Sequence, residues 1–348
     1  VTFRSSAVAA AACSVLLLAG ACGAATPPAA APVERARLAM GSELKLTAWT
    51  SDEPTALVAF DEVFAEFERL EALLSIWREG SDVQRLNAAA GLHPVAVSPE
   101  AIEVLTVARQ IGDWTEGKFD ITFAALSDLW KFDHDQDNSI PSPADIQQRL
   151  ALIDYRQVEF DAAAGTAFVR RKGMRVHFGG IGKGYAVDRA VAILRMRGLA
   201  DFMVQAGGDM YVAGRHGERL WRLGIQDPRG PGGSSFASVE LSDATFSTSG
   251  DYERFFIKDG RRFHHLLDPN RGEPATGCRS VTIVSDRAVL ADGLSTGVFV
   301  LGPEKGMALI ERLPQVEGVI VTAENEVLVS SGLKGKVRII SPPTDRRP

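Results

Sequence analysis

The run His177-Phe178-Gly179-Gly180-Ile181-Gly182-Lys183-Gly184-Tyr185-Ala186-Val187-Asp188 combines closely spaced glycines with a lysine. Glycines let a backbone come close to a ligand, and a strand-to-helix turn points free amides at an anion. The spacing matches neither the Walker pattern, which needs four residues before Gly-Lys and a hydroxyl after it, nor GxGxxG. Phosphate-type chemistry on a different nucleotide-handling scaffold is the reading these residues support.

Three further segments carry groups that could serve such a site. Gly207-Gly208-Asp209 reads on its own as a tight turn with the carboxylate holding local amides. Ser247-Thr248-Ser249-Gly250-Asp251-Tyr252 offers hydroxyls to phosphate oxygens or to the turn itself, and leads through the Asp259-Gly260 hairpin turn to His264-His265. Adjacent residues of a strand point to opposite faces, so at most one of these histidines faces a shared site. In Ala291-Asp292-Gly293-Leu294-Ser295-Thr296, Asp292 and Thr296 are four apart and share a helix face. A carboxylate and a hydroxyl there suit Mg²⁺, which takes few protein ligands and completes its shell with phosphate and water. The alternative is that Asp292 caps its own helix.

The elements that must position these groups are mixed. Leu57, Phe60, Val63, Phe64, Phe67, Leu70 and Leu74 predict a long amphipathic helix, and Ser98-Pro99 starts a second that turns Ile102, Leu105, Ala108 and Ile111 inward. A third helix follows the glycine run to a stop at Gly198, and two more are expected at 294–301 and 303–313. Strands are expected at 44–49, 158–161, 167–170, 176–178, 202–205, 220–226, 238–241, 255–258, 263–267, 280–285 and 318–322. Because the two kinds do not strictly alternate, the fold class is α+β: one mixed unit over 33–341.

The composition of the 348 residues, 45% hydrophobic and 24% charged, is that of a globular protein. The net charge of −6 and the lack of a dense basic run speak against nucleic acid as a partner. Arg4 followed by an apolar stretch over 7–18 and small residues reads as a secretory signal ending in Leu18-Ala19-Gly20-Ala21-Cys22, similar to a bacterial lipobox. Residues 1–22 are thus expected to be a signal peptide, with Cys22 the lipidated anchor; simple cleavage is the alternative. Residues 23–32 hold only Gly, Ala, Thr and Pro and read as a tether, and 342–348 as a structureless tail. Cys278 is then the lone cysteine of the mature domain, so no disulfide is expected there, and a small semi-buried thiol is the simplest reading.

In order and spacing, the glycine run with Lys183 to Asp188, Gly207-Gly208-Asp209, Trp221 with Gly224-Ile225-Gln226, the Ser247 to Tyr252 block, His265 to Pro269 and Ala291 to Thr296 resemble the ApbE family of FAD:protein FMN transferases. Upstream, Met40-Gly41-Ser42, Leu74-Ser75-Ile76-Trp77 with Ser81-Asp82 and Arg85-Leu86-Asn87, and Gly117-Lys118-Phe119-Asp120-Ile121-Thr122 with Leu129-Trp130 resemble its earlier blocks. The resemblance implies a T-fold-related domain and an exported, Mg²⁺-dependent enzyme at the periplasmic face of the inner membrane. Such an enzyme splits FAD, moves FMN onto a Thr or Ser hydroxyl of an acceptor protein and releases AMP. Subunits of redox complexes are the implied acceptors.

It further implies FAD contacts from Met40, Trp77, Lys118, Phe119, Asp120, His177, Lys183 and Leu267, and metal ligands at Asp292, Thr296 and the Gly180 carbonyl. Asp292 also counts as catalytic, and His265 is the candidate general base because its ordinary pKa suits proton transfer near neutrality. His264 should then face away. The chain departs from the family pattern at His177, where Asp is usual, Trp77 (Tyr), Lys118 (Ala), Ile121 (Pro) and Gly182 (Ala). Two other functions share these motifs: an FAD pyrophosphatase that uses water as nucleophile, and a flavin-binding lipoprotein without turnover.

Overall fold

The computed structural model describes residues 1–2, 29–132 and 135–346; residues 3–22 of the signal, with Cys22, lie outside them, as does most of the tether. Among the described residues an eight-stranded sheet runs in chain order through Ala31–Ala39, Ser42–Thr50, Phe202–Ala206, Asp209–Ala213, Ala244–Gly250, Cys278–Ser285, Glu317–Thr322 and Val327–Val329. Every neighbouring pair is antiparallel.

Helices α1 (Glu53–Leu74), α2 (Asp82–Ala88), α3 (Pro99–Trp114), α4 (Pro143–Leu150) and α5 (Gly182–Met196) are all inserted between the second and third strands. Helices α6 (Ala288–Leu301) and α7 (Pro303–Arg312) connect the sixth to the seventh. One face of the sheet, including Leu44, Leu46, Val204, Val281, Ile283 and Ile320, packs against α1, α3, α5 and α6 in the main core. The opposite face presents Val212, Phe246, Val284, Val319 and Val321 to a three-stranded sheet of Trp221–Gln226, Ser235–Leu241 and Arg338–Ile339. This alternation along the central strands buries both faces, so the sheet lies between a helical layer and a second sheet. A third cluster, Leu126, Trp130, Phe132, Ile146, Phe256, Phe263 and Leu267, joins the 121–150 segment to the hairpin of Phe255–Lys258 and Arg261–His264.

The long helix forms on the expected stripe, with Phe60, Val63, Phe64, Phe67, Leu70 and Leu74 all buried. Ser98 caps α3 as its sequence predicts, accepting from the Ala101 amide at 3.2 Å. Helix α6 has no side-chain cap from its own flank; instead Asp188 of α5 accepts from the amides of Ala288 (2.7 Å) and Val289 (3.0 Å). A carboxylate across the first turn satisfies free donors and complements the helix dipole. Asp188→Ala should therefore cost about 1–2 kcal/mol of stability, read as a lower urea midpoint. An unchanged midpoint would remove Asp188 from this role.

Three sequence expectations need correction. Residues 31 and 32 are not tether: they begin the first strand, whose nine residues all pair with Ser42–Thr50. Residues 176–178 form no strand, because the Val176 N–H donates to Asn87 Oδ1 (2.6 Å) and its carbonyl accepts from Asn87 Nδ2 (2.9 Å). One amide side chain replaces the ladder that a strand would need. The segment 343–346 is tied down: Asp227 accepts from the Thr344 amide and hydroxyl, and Asp345 pairs with the buried Arg279 at 3.0 Å. Cys278 is buried outright, and burial pushes its thiol up to about 12.

Candidate active site

The register places the chemistry-bearing segments at one end of the sheet. Ser247 lies opposite Asp209, which follows Ala206 across the Gly207-Gly208 turn, and Gly207 packs 3.3 Å from the Ser42 side chain, measured from where its Cβ would be. The Met40-Gly41-Ser42 turn, the Gly207-Gly208-Asp209 turn and the end of Ala244–Gly250 are thus neighbours. Onto them come the start of α5 and the second turn of α6.

Helix α5 has no side-chain cap from its own flank, and its turn is closed by the Gly182 amide donating to the Phe178 carbonyl at 2.7 Å. Within this first turn the Gly184 N–H gives its hydrogen to Asp292 Oδ2 at 2.8 Å. Asp292 therefore caps α5, not its own helix, whose first amides Asp188 already satisfies. The two helices meet at very short range: a Cβ on Gly184 would lie 2.3 Å from the Ala288 carbonyl oxygen and 2.6 Å from Asp292 Cβ. Gly180 sits over the other member of the pair, its would-be Cβ 3.4 Å from Thr296 Oγ1. Asp292 and Thr296 both face the glycine turn, as their spacing predicts.

Around this pair lies a shell of oxygen. Ser249 Oγ is 3.2 Å from Thr296 Oγ1 and 2.8 Å from Ser295 Oγ. Thr248, one residue earlier in the strand, points the other way and meets Thr282 at 2.9 Å. Lys183 pairs with Asp209, which also accepts from the Ser247 hydroxyl. Burial works against the Lys183 charge, but the carboxylates of Asp209 and Asp292 outweigh it and hold the ammonium firmly protonated. Burial, reinforced by Asp209, raises the Asp292 carboxyl above its ordinary value, and the Lys183 ammonium pulls the other way. Asp209, read from sequence as a turn residue, is thus part of the site. Its signal was present in Gly207-Gly208-Asp209, but nothing local connects that turn to Lys183.

The two histidines separate as expected. His264 is buried with both ring nitrogens used, Nε2 against the Ala275 carbonyl (2.9 Å) and Nδ1 accepting from the Leu266 amide (3.3 Å). His265 is half-buried and lies 3.3 Å through Nδ1 from the Arg254 carbonyl. A carbonyl only accepts, so Nδ1 carries the hydrogen and Nε2 keeps its lone pair. Desolvation, with Arg254, His264 and Lys183 as nearby positive or polarising groups, holds this imidazole well below its usual pKa, so the ordinary pKa expected from sequence does not apply and the ring is neutral.

The other expected contacts differ in exposure and in what they touch. Trp77 is 72% exposed. Met40 and the Trp77 loop are linked through Glu71, which accepts from the Met40 amide (3.1 Å) and from Arg78 (3.1 Å). His177 folds back over Gly179 and lies 5.7 Å from the Phe123 ring centroid. Phe119 is buried as a wedge beneath Gly180 and against Gly293 and Gly297 of α6, so its ring supports the turn. The carboxylate of Asp120 is spent internally, accepting from the amide and hydroxyl of Thr122 (2.7 and 2.6 Å) and the Tyr155 amide (2.9 Å). Leu267 belongs to the third apolar cluster, and Lys118 is paired with Asp268.

The donor set can be tested against a cation. Two buried carboxylates, Asp209 and Asp292, face one ammonium, which leaves a negative excess beside the hydroxyls of Thr296, Ser249 and Ser295 and the Gly180 backbone. No group of three or more His, Cys, Asp or Glu that could hold a metal occurs among the described residues. A hard, oxygen-preferring dication such as Mg²⁺ fits this set, whereas softer metals would want nitrogen or sulfur.

Sheet, glycine turn and oxygen pair define a class of α+β protein in which a glycine-rich helix start faces a hard-oxygen cluster. The chain belongs to the ApbE family, whose model matches residues 40–320. It is 34% identical over 88% of its length to an FAD:protein FMN transferase of Treponema pallidum, covering 89% of that protein. A protein of the same name from Klebsiella pneumoniae is 32% identical over 84% of this chain and 90% of its own. Among solved structures, the ApbE protein of Thermotoga maritima superimposes with a TM-score of 0.79 at 30% identity, over 88% of this chain and 99% of that one.

Proposed function

We propose that this protein is an FAD:protein FMN transferase: it moves FMN from FAD to a Thr or Ser hydroxyl of an acceptor protein, and AMP leaves. The observation that carries the reading is the placement of Asp292 and Thr296 against the turn from Gly180 to Gly184, within a chain of this family. A Mg²⁺ held by Asp292, Thr296 and the Gly180 carbonyl would neutralise charge on the pyrophosphate oxygens. Lys183, kept charged and aimed by Asp209, adds a fixed positive group on the same side.

The flavin end falls to the exposed Trp77 with Met40, and Leu267 and His177 complete the apolar and edge contacts. Phe119 and Asp120 act from beneath, the first by holding Gly180 over Thr296 and the second by fixing the 120–122 and 154–155 turns. In the transfer step the acceptor oxygen forms a new bond to the FMN phosphorus while the bond from that phosphorus to the bridging oxygen breaks, with the electron pair leaving on AMP. The acceptor's proton passes to His265 Nε2, which the Arg254 carbonyl leaves free to take it.

His265→Ala should lower transfer by roughly two orders of magnitude, with FAD binding little changed, as measured by single-turnover release of AMP beside fluorescence titration of FAD. Full transfer by this variant when chemistry limits the rate would end the base assignment. We further propose export and lipid anchoring at Cys22 on the strength of the lipobox-like sequence, which mass spectrometry of the membrane-bound protein would test.

A further inference from the structure

Lys118 is the one expected flavin contact whose charged end is already engaged elsewhere in the protein by an ion pair of two hydrogen bonds. Its Nζ lies 2.8 and 2.9 Å from the two oxygens of Asp268, across 150 residues of sequence, in a largely water-excluded setting with the side chains 22% and 13% exposed. The base of Lys118 is fixed: its amide donates to the Thr115 carbonyl (2.9 Å) at the end of α3, and the next amide donates to Thr115 Oγ1 (3.0 Å). From there Phe119 wedges under Gly180. On the other side, Asp268 also accepts from the Asn270 amide (2.9 Å) and closes the turn that follows His265 and Leu267. A second tie runs parallel to the first, from Trp130 Nε1 to the Gly272 carbonyl at 2.7 Å. The two loops so joined, one holding Glu116, Gly117 and Asp120 and the other Pro269 and Asn270, are walls of a cleft of about 430 Å³.

We infer that Lys118 is a positioning residue acting through Asp268, a latch that sets the His265–Leu267 turn against the framework of Phe119, Gly180 and Thr296, and that it is not a flavin ligand. The inference rests on the transferase reading for its kinetic consequence, though not for its structural one. Two of the three ammonium hydrogens are committed to the buried Asp268, and removing either partner would leave an uncompensated charge there, which is costly. Misplacing a proton acceptor by a fraction of an ångström lowers the chemical rate more than it lowers substrate affinity.

The test is a double-mutant cycle with Lys118→Met, Asp268→Asn and the two combined. Each single variant should lower the transfer rate constant roughly ten-fold while leaving the KM for FAD within about two-fold. The double variant should be no worse than the weaker single, since both remove one interaction. The swapped pair Lys118→Asp with Asp268→Lys should recover part of the rate. Hydrogen exchange at the amides of 265–272 should quicken in both singles, with no need for turnover. Loss of FAD affinity in Lys118→Met but not in Asp268→Asn would make Lys118 a ligand and overturn the latch. Unchanged exchange and unchanged rate in both singles would overturn it too. If the wild-type protein transfers no flavin, the functional reading fails, while the exchange comparison still decides the latch.

Discussion

Asp292→Asn should reduce FMN transfer by roughly two to three orders of magnitude while the protein stays folded. The amide oxygen of Asn can still accept from the Gly184 N–H, so the cap at 2.8 Å that ties α6 to α5 is kept. The negative charge is lost, and with it the attraction for a hard dication among hydroxyls that are too weak to hold one alone. Transfer and thermal unfolding should be measured on the same preparation, and the melting temperature should move by only about 2 °C. A variant that keeps the wild-type rate at saturating Mg²⁺ would remove Asp292 from the metal site.

The second large effect is expected at Gly184. Alanine there places a methyl group 2.3 Å from the Ala288 carbonyl oxygen and 2.6 Å from Asp292 Cβ. Both neighbours sit on the well-packed helix α6, so relief requires the helices to separate. Overpacking of this kind costs about 1–3 kcal/mol and at times more, which outweighs the helix-propensity gain of about 1 kcal/mol for replacing glycine. Gly184→Ala should therefore destabilise the fold by about 2 kcal/mol or more and also lose most transfer activity, because Asp292 moves with the helix. Gly182→Ala is the internal control. Its methyl group would meet only Phe178 Cβ at 3.7 Å, an ordinary contact, so stability and transfer should both stay near wild type. Equal losses from the two substitutions would show that helix spacing is not what Gly184 protects.

This contrast also shows what sequence can and cannot carry. The stripe from Phe60 to Leu74 and the Ser98-Pro99 helix start are local signals, and both elements form where those signals place them. The face shared by Asp292 and Thr296 follows from helical spacing alone. Which group each oxygen serves does not: Asp292 is a cap, but the helix it caps is α5, more than a hundred residues away. Asp209 is the same case, a turn residue by local rules that becomes the partner of Lys183 only through the sheet register. The strand Ala31–Ala39 leaves no sequence signal because it is an edge strand with only Val33 buried, so it lacks the apolar alternation of a central strand. The stretch 176–178 misled in the opposite direction, since its apolar residues are buried while its backbone is satisfied by Asn87.

The central claim is that a protein hydroxyl is the nucleophile at the site formed by the glycine turn, Asp292 and Thr296. It is tested most directly by incubating the purified protein with FAD, Mg²⁺ and a candidate acceptor, then denaturing the mixture and measuring flavin fluorescence on the acceptor band beside AMP in solution. The account predicts covalent flavin on the acceptor in equal amount to the AMP released, with both abolished by a chelator. Release of AMP and free FMN with every tested acceptor left unlabelled would contradict it and make water the nucleophile, and FAD left intact would contradict catalysis altogether.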